Sequence, residues 1–164
     1  MRKNWLKDIQ KDETLLDDFL DEYRDHLDDA KKDVEIGNNI TQEAKRLPHV
    51  VDVRFSQLQD IEAIYEYFDI QLKKLRSTLY KHYLTNYQQK LTSRDVDRYI
   101  EGEPQYVDMM IKLNNINLLR NKFASITKGL EYKHFQLTNI AKLKAAGVDL
   151  SLYTHLTLPT IYSV

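Results

Sequence analysis

The chain has 164 residues, 42% of them apolar and 30% charged, with a net charge of −1, 4 Gly, 3 Pro and no Cys. This composition fits one helical unit and fits poorly with a two-domain cofactor enzyme, a turn-rich β-sandwich or a disordered polyelectrolyte. The absence of cysteine excludes a disulfide scaffold, a thiolate nucleophile and cysteine-ligated zinc or iron–sulfur sites.

Residues 1–10 (MRKNWLKDIQ) lack the apolar core of a signal peptide, and no window approaches the roughly 18 consecutive apolar residues of a membrane span. A soluble, intracellular protein is therefore expected. The first predicted helix runs from about Asp12 to Glu35. It places Leu16, Phe19, Leu20, Tyr23 and Leu27 at helical spacing, with Asp17, Asp18, Asp21, Asp25 and Asp28 elsewhere on the wheel. Gly37 and Asn38, which tolerate the left-handed conformation, are expected to end it. Residues 1–47 form this acidic N-terminal region, with net charge −4.

The second predicted helix runs from about Val50 to Lys90, after Pro48. Val51, Phe55, Leu58, Ile61, Tyr65, Phe68, Leu72, Leu75, Leu79 and Tyr83 follow at spacings of three and four, a coiled-coil-like seam. At 1.5 Å per residue it spans roughly 60 Å and has to lie against partner helices. The charge changes sign along it: residues 48–69 carry −4 and residues 70–99 carry +5. A short helix follows, opened by Thr92-Ser93-Arg94-Asp95, which resembles a capping box. Together these fill residues 48–101.

Gly102-Glu103-Pro104 turns the chain into the last predicted helix, residues 104–147, with Val107, Ile111, Leu118, Leu119, Phe123, Ile126, Leu130, Leu137 and Ile140 as apolar positions. Asn114, Asn115, Asn117 and Asn121 interrupt it; they either face water or fix register in a self-associating seam. The expected fold is all-α: a long antiparallel helical hairpin or coiled coil with an acidic N-terminal helix. One short partner helix is too little to bury both long stripes, so an oligomer is expected. Residues 148–164 (VDLSLYTHLTLPTIYSV), nearly uncharged and without a helical stripe, read as an unstructured tail, either a β-prone docking segment or a non-native scar, and carry none of the functional argument.

Lys73, Arg76, Tyr80, Tyr83, Tyr87 and Lys90 recur at intervals of 3, 4, 3, 4 and 3, which confines them to a band roughly 100° wide. Lys74, Lys81, His82, Arg94 and Arg98 widen this face. Cations neutralise phosphates and tyrosine rings stack on unpaired bases, so the combination suits single-stranded nucleic acid; the alternative is tyrosines packed at the core edge beside solvated cations. Catalytic constellations are weak. Glu131 and His134 form a lone Glu-x-x-His without the second copy a di-iron bundle needs. Asp17, Asp21, Asp25, Asp28 and Asp29 read as solvated carboxylates rather than a metal comb. There is no phosphate-cradling G-x-x-x-x-G-K-[ST] and no G-x-S-x-G. No enzyme activity, metal or cofactor is expected.

The stretch Leu91-Thr92-Ser93-Arg94-Asp95-Val96-Asp97-Arg98-Tyr99-Ile100-Glu101-Gly102-Glu103, preceded by Leu79-Tyr80-Lys81-His82-Tyr83-Leu84, resembles the UvsY recombination mediators of T-even-type bacteriophages. So does the ending, Phe135-Gln136-Leu137-Thr138-Asn139-Ile140 closed by Ala145-Ala146-Gly147. The resemblance covers roughly residues 60–147. It departs at Thr85-Asn86-Tyr87-Gln88, where a basic glycine turn is common in that family, and in the longer acidic front helix. The resemblance implies a small, non-enzymatic, homo-oligomeric helical protein, cytoplasmic in an infected bacterium. Such a protein binds single-stranded DNA, loosens the single-strand-binding protein and helps load a RecA-like recombinase. Its DNA contact corresponds to Lys73, Lys74 and Arg76 ahead of Tyr80 and Tyr83. A coiled-coil scaffold or virion assembly protein without a nucleic-acid role is the rival expectation.

Overall fold

The structure is a computed structural model that describes residues 3–87 and 90–150. Most of the apolar tail, residues 151–164 with His155, lies outside the described residues, as does Gln88. All regular structure among the described residues is helical: α1 (Trp5–Lys11), a 3₁₀ turn (Glu13–Leu15), α2 (Leu16–Asp33), α3 (Ile40–Asn86), α4 (Ser93–Glu101) and α5 (Pro104–Ala145).

The acidic front is three pieces rather than one helix. The Asn4 side chain accepts from the Lys7 amide and starts α1. Asp12 turns extended, and its carboxylate accepts from the amide and hydroxyl of Thr14, which opens the 3₁₀ turn. The helix expected from about Asp12 thus opens with a 3₁₀ turn set by short-range polar capping, and α1 stands ahead of it as a separate piece. The spacing is right about which side of α2 turns inward: Leu16, Phe19, Leu20, Tyr23 and Leu27 are buried. Trp5 meets Phe19 edge-on at 5.6 Å, Phe19 lies 4.3 Å from Tyr23, and Tyr23 reaches Phe123 of α5 at 6.0 Å between centroids. α2 ends at Asp33, ahead of the expected Gly37-Asn38 stop, and Gly37 does not adopt a positive φ.

α3 begins before Pro48, not after it. The Asn39 side chain accepts from the Gln42 amide, and the helix passes through Pro48 without ending. An interior proline removes one backbone hydrogen bond at a cost of about 3 kcal/mol. Anchors on both sides offset that cost. Glu43 pairs with Lys133 of α5 at 2.5 Å, Leu47 is buried, and the Arg54 guanidinium clasps Asp33 at 2.6 and 2.8 Å. At the other end the Thr85 hydroxyl donates to the Lys81 and His82 carbonyls, and Tyr87 turns extended. The helix therefore stops at Asn86, short of Lys90.

The core joins α1 and α2 to the middle of α3 and α5. Leu58, Ile61, Ile64, Phe68 and Leu72 of α3 and Leu113, Ile116, Leu119, Phe123, Ile126 and Leu130 of α5 are buried in it. Val96 and Ile100 of α4 are buried outside that cluster. Gly129 lets the end of α2 approach α5, since a Cβ there would stand 2.9 Å from Val34 Cγ1. A polar strap lies beside it: buried Lys133 donates to the Asp33 carbonyl at 2.8 Å, and Arg54 donates to Gln57 Oε1 at 3.0 Å.

The seam expected to be covered throughout is covered only in its middle. Val51 and Phe55 of α3, and Val107, Ile111 and Leu118 of α5, are exposed. Of the four asparagines, Asn114, Asn115 and Asn121 face solvent, and Asn117 is half-buried with its Oδ1 enclosed and unbonded among the described residues. No helix among the described residues is long and apolar enough to cross a membrane.

Candidate nucleic-acid interface

The last turns of α3 carry the cations and rings singled out in the sequence, and α4 lies alongside them. α4 starts as the sequence reads: the Thr92 hydroxyl accepts from the Asp95 amide while the Asp95 carboxylate accepts from the Thr92 amide and hydroxyl. These hydrogen bonds hold the Asp95 carboxyl below the usual aspartate range. The apolar underside of α4, Val96 and Ile100, is sealed, which presents Asp97 and Tyr99 to α3.

Lys73, Arg76, Tyr80 and Lys81 share one shallow depression of about 410 Å³, together with Ser77 and Asp97. Two of its cations are already paired. Lys73 Nζ lies 2.5 Å from Asp69, and Arg76 Nη2 lies 3.0 Å from Asp97; those carboxylates, by hydrogen bond first and charge second, raise the pKa of each base. Both pairs are exposed, and exposed pairs contribute only about 0–1 kcal/mol, so an incoming phosphate can exchange for the carboxylate. Lys74 and Lys81 are exposed and make no ion pair among the described residues.

The rings form a second group. Tyr83 and Tyr87 both stack on Tyr99 of α4, with centroids 5.5 and 5.8 Å apart, and lie 5.7 Å from each other. The Tyr83 hydroxyl donates to Glu103, and this hydrogen bond pushes its pKa up to about 12. Tyr80 donates to Ser93 Oγ at 3.3 Å and is half-buried. Tyr87 and Tyr99 remain 49% and 45% exposed, so the cluster keeps open ring area. It is neither sealed in the core nor a free ladder; its members are held by one another.

Of the residues nominated from sequence, Lys73, Arg76, Tyr80 and Lys81 come together, Lys74 stands exposed beside them, and Tyr83 and Tyr87 form the ring cluster. Lys90 lies beyond the end of α3 and Arg94 in the first turn of α4; both are exposed, but neither lines the depression. The nomination by a single helical band misses Tyr99, which reaches the site from a different element. Its place within the Arg98-Tyr99-Ile100 stretch between capping box and turn was the available signal. Asp69, Asp97 and Glu103 were also missed, and they temper the positive charge. Among the described residues no three His, Asp or Glu side chains converge as a metal site would require. Compared with known proteins, the chain matches no family model, no curated protein and no solved structure.

Proposed function

We propose that the chain is a non-enzymatic single-stranded DNA-binding protein that acts as a recombination mediator, helping a RecA-like recombinase onto strands covered by single-strand-binding protein. The observation that carries the DNA-binding part is the adjacency of an exposed cationic depression to the Tyr83, Tyr87 and Tyr99 cluster. Ammonium and guanidinium groups meet the backbone there, and a base can stack on the outer faces of Tyr87 or Tyr99, each such stack being worth about 1–3 kcal/mol. The mediator role rests on the resemblance to UvsY proteins. It requires no bond chemistry, only binding that favours one protein on the strand over another.

The framework that goes with this reading is an antiparallel α3–α5 hairpin within a homo-oligomer. The order of contacts supports the direction: Glu43 meets Lys133 and Tyr65 meets Arg120, so positions rise along α3 as they fall along α5. The rival scaffold reading draws on the exposed apolar residues of α5, which need a partner whether or not DNA is bound.

Titration of a fluorescent single-stranded oligonucleotide at several salt concentrations tests the proposal. With about 4 phosphates neutralised per protomer, log affinity falls with log salt at a slope of about −0.7 × 4. Lys74→Glu with Lys81→Glu touches no ion pair among the described residues, so helicity is retained while binding is lost. Binding that is insensitive to both salt and these substitutions removes the site from this face.

A further inference from the structure

One acid sits inside the cationic depression. Lys73, Arg76 and Lys81 line it, and among the described residues Asp97 is the one carboxylate that lines it with them. It comes from a separate element: Arg76 belongs to α3 and Asp97 to α4, and Arg76 Nη2 donates to Asp97 Oδ1 at 3.0 Å across a separation of 21 residues. The neighbouring Lys73–Asp69 pair is an ordinary i,i+4 pair along α3, and Asp69 does not line the depression. Glu101, one turn beyond Asp97, adds a weaker attraction on the same guanidinium.

The ion pair is not what puts the carboxylate there. Val96 and Ile100 are buried where α4 packs on α3 and α5. At 100° per residue, Asp97 and Tyr99 fall on opposite flanks of that buried pair. Tyr99 then stacks on Tyr83 and Tyr87, and Tyr80 donates to Ser93 at the start of α4. Contacts that do not involve Asp97 thus hold α4 in place, and its docking delivers the carboxylate to Arg76. The side chains of Arg76 and Asp97 are 52% and 42% exposed, so the pair is of the weak, solvent-screened kind, and a competing anion displaces it without unseating α4.

Arg76 is the guanidinium of the depression, the group best shaped to grip a phosphate through two oxygens. In the free protein it is already committed to a carboxylate. A phosphate that takes it makes one charge-assisted bond and breaks another, so Arg76 adds little net affinity. Asp97, still carried by α4, stays within range to repel the strand.

We infer that α4 is a built-in competitor for the strand: Asp97 occupies Arg76 as a backbone phosphate would, and so holds the affinity of this face for single-stranded DNA below what its cations could give. The inference rests on the DNA-binding reading above and supplies its regulation. A protein that hands a strand on to another has to release it, and an internal anion ready to retake Arg76 favours release.

Titration of a fluorescent single-stranded oligonucleotide with the full chain at one fixed low salt concentration tests this, with Asp97→Asn and Asp97→Asn/Glu101→Gln as variants. Asn keeps the size of Asp without its charge, and α4 keeps its other contacts, so helicity by circular dichroism stays unchanged. The expected result is binding about fivefold tighter for Asp97→Asn, the equivalent of releasing a strong exposed pair, and at least as tight for the double variant. The same Asp97→Asn change in an Arg76→Gln chain separates competition from plain removal of a negative charge: there most of the gain disappears. An affinity unchanged or lowered in both variants, an equal gain in the Arg76→Gln chain, or a loss of helicity in Asp97→Asn, which makes the pair structural, each overturns the inference. The Lys74→Glu/Lys81→Glu chain separates the two proposals. Salt-sensitive binding by the parent that is lost in that chain, with no tightening in Asp97→Asn, leaves the DNA reading standing while the competitor falls; failure of every chain to bind the oligonucleotide brings down both.

Discussion

Lys133 and Lys81 are the same residue type placed in two opposite settings. Lys133 is 6% exposed in its side chain and is enclosed by Glu43 and the Asp33 carbonyl; nearby, Arg54 is clasped by the Asp33 carboxylate. Lys81 stands in solvent at the other end of α3 with no ion pair among the described residues. In the first region charge is sealed and fully partnered, and it joins the acidic front to α3 and α5. In the second, charge is loosely held or free. A cation is therefore structural or available according to what surrounds it, and the net charge of a segment does not distinguish the two.

The most severe way to break this contrast is to remove the amine and keep the bulk. Lys133→Met leaves the Glu43 carboxylate, one-quarter exposed, facing an apolar side chain. The cost is about 3 kcal/mol, near the low end for breaking a buried pair. A thermal melt of the variant should fall by roughly 6–12 °C, given about 2–4 °C per kcal/mol for a chain of this size. Lys81→Met should melt within about 0.5 kcal/mol of the parent. Equal losses for the two would abolish the distinction.

A smaller effect sharpens the exposed end. Thr92→Ala removes the hydroxyl from the α4 cap and should cost about 1 kcal/mol at neutral pH. Because the folded form holds Asp95 below its ordinary 3.8, the carboxylate's share of the cap is complete above that value and is lost as pH falls through the depressed folded value, while the Thr92 hydroxyl keeps its bond from the Asp95 amide. Urea melts of parent and variant should accordingly draw closer at the acid end without merging; a gap that stays constant would place the cap stabilisation in the bond from the Asp95 amide to the Thr92 hydroxyl rather than in the carboxylate.

The smallest signal comes from the tyrosine cluster. The hydrogen bond from the Tyr83 hydroxyl to Glu103 pushes its pKa up to about 12. A folded value above the ordinary 10 means that this hydrogen bond contributes fully below 10 and is lost as pH rises through 12. An alkaline absorbance titration should show a late phenol that Tyr83→Phe removes, and removal of an early phenol instead would contradict the Glu103 contact.

Much of the helical architecture is legible in residue spacing, and the limits of that legibility are physical. The Thr92 to Asp95 cap is a local hydrogen-bonding unit, so four adjacent residues suffice to read it. The middle of the α3 seam, Leu58 to Leu72, is likewise local periodicity realised as burial. Periodicity says that a stripe needs cover, though, and not what supplies it: Val51 and Phe55 belong to the same stripe and are exposed because α1 and α2 cover only part of the length. Pro48 misled because its cost is local while the Glu43 and Arg54 anchors that offset it act through residues distant in sequence. Tyr99 and Asp97 entered the candidate site for the same reason, as neighbours of Tyr83 and Arg76 only after α4 docks. Lys133 was passed over beside Glu131 and His134, since nothing in its sequence surroundings announces a partner near residue 33.

The bond between the Asp33 carbonyl and Lys133 crosses a sequence separation of 100 residues. At roughly 5–20 residues added per second, the ribosome adds Lys133 about 5–20 s after Asp33. The acidic front can meet α3 first, through the Arg54–Asp33 and Tyr23–Asp60 bonds, and gains the Lys133 strap only when α5 has been made.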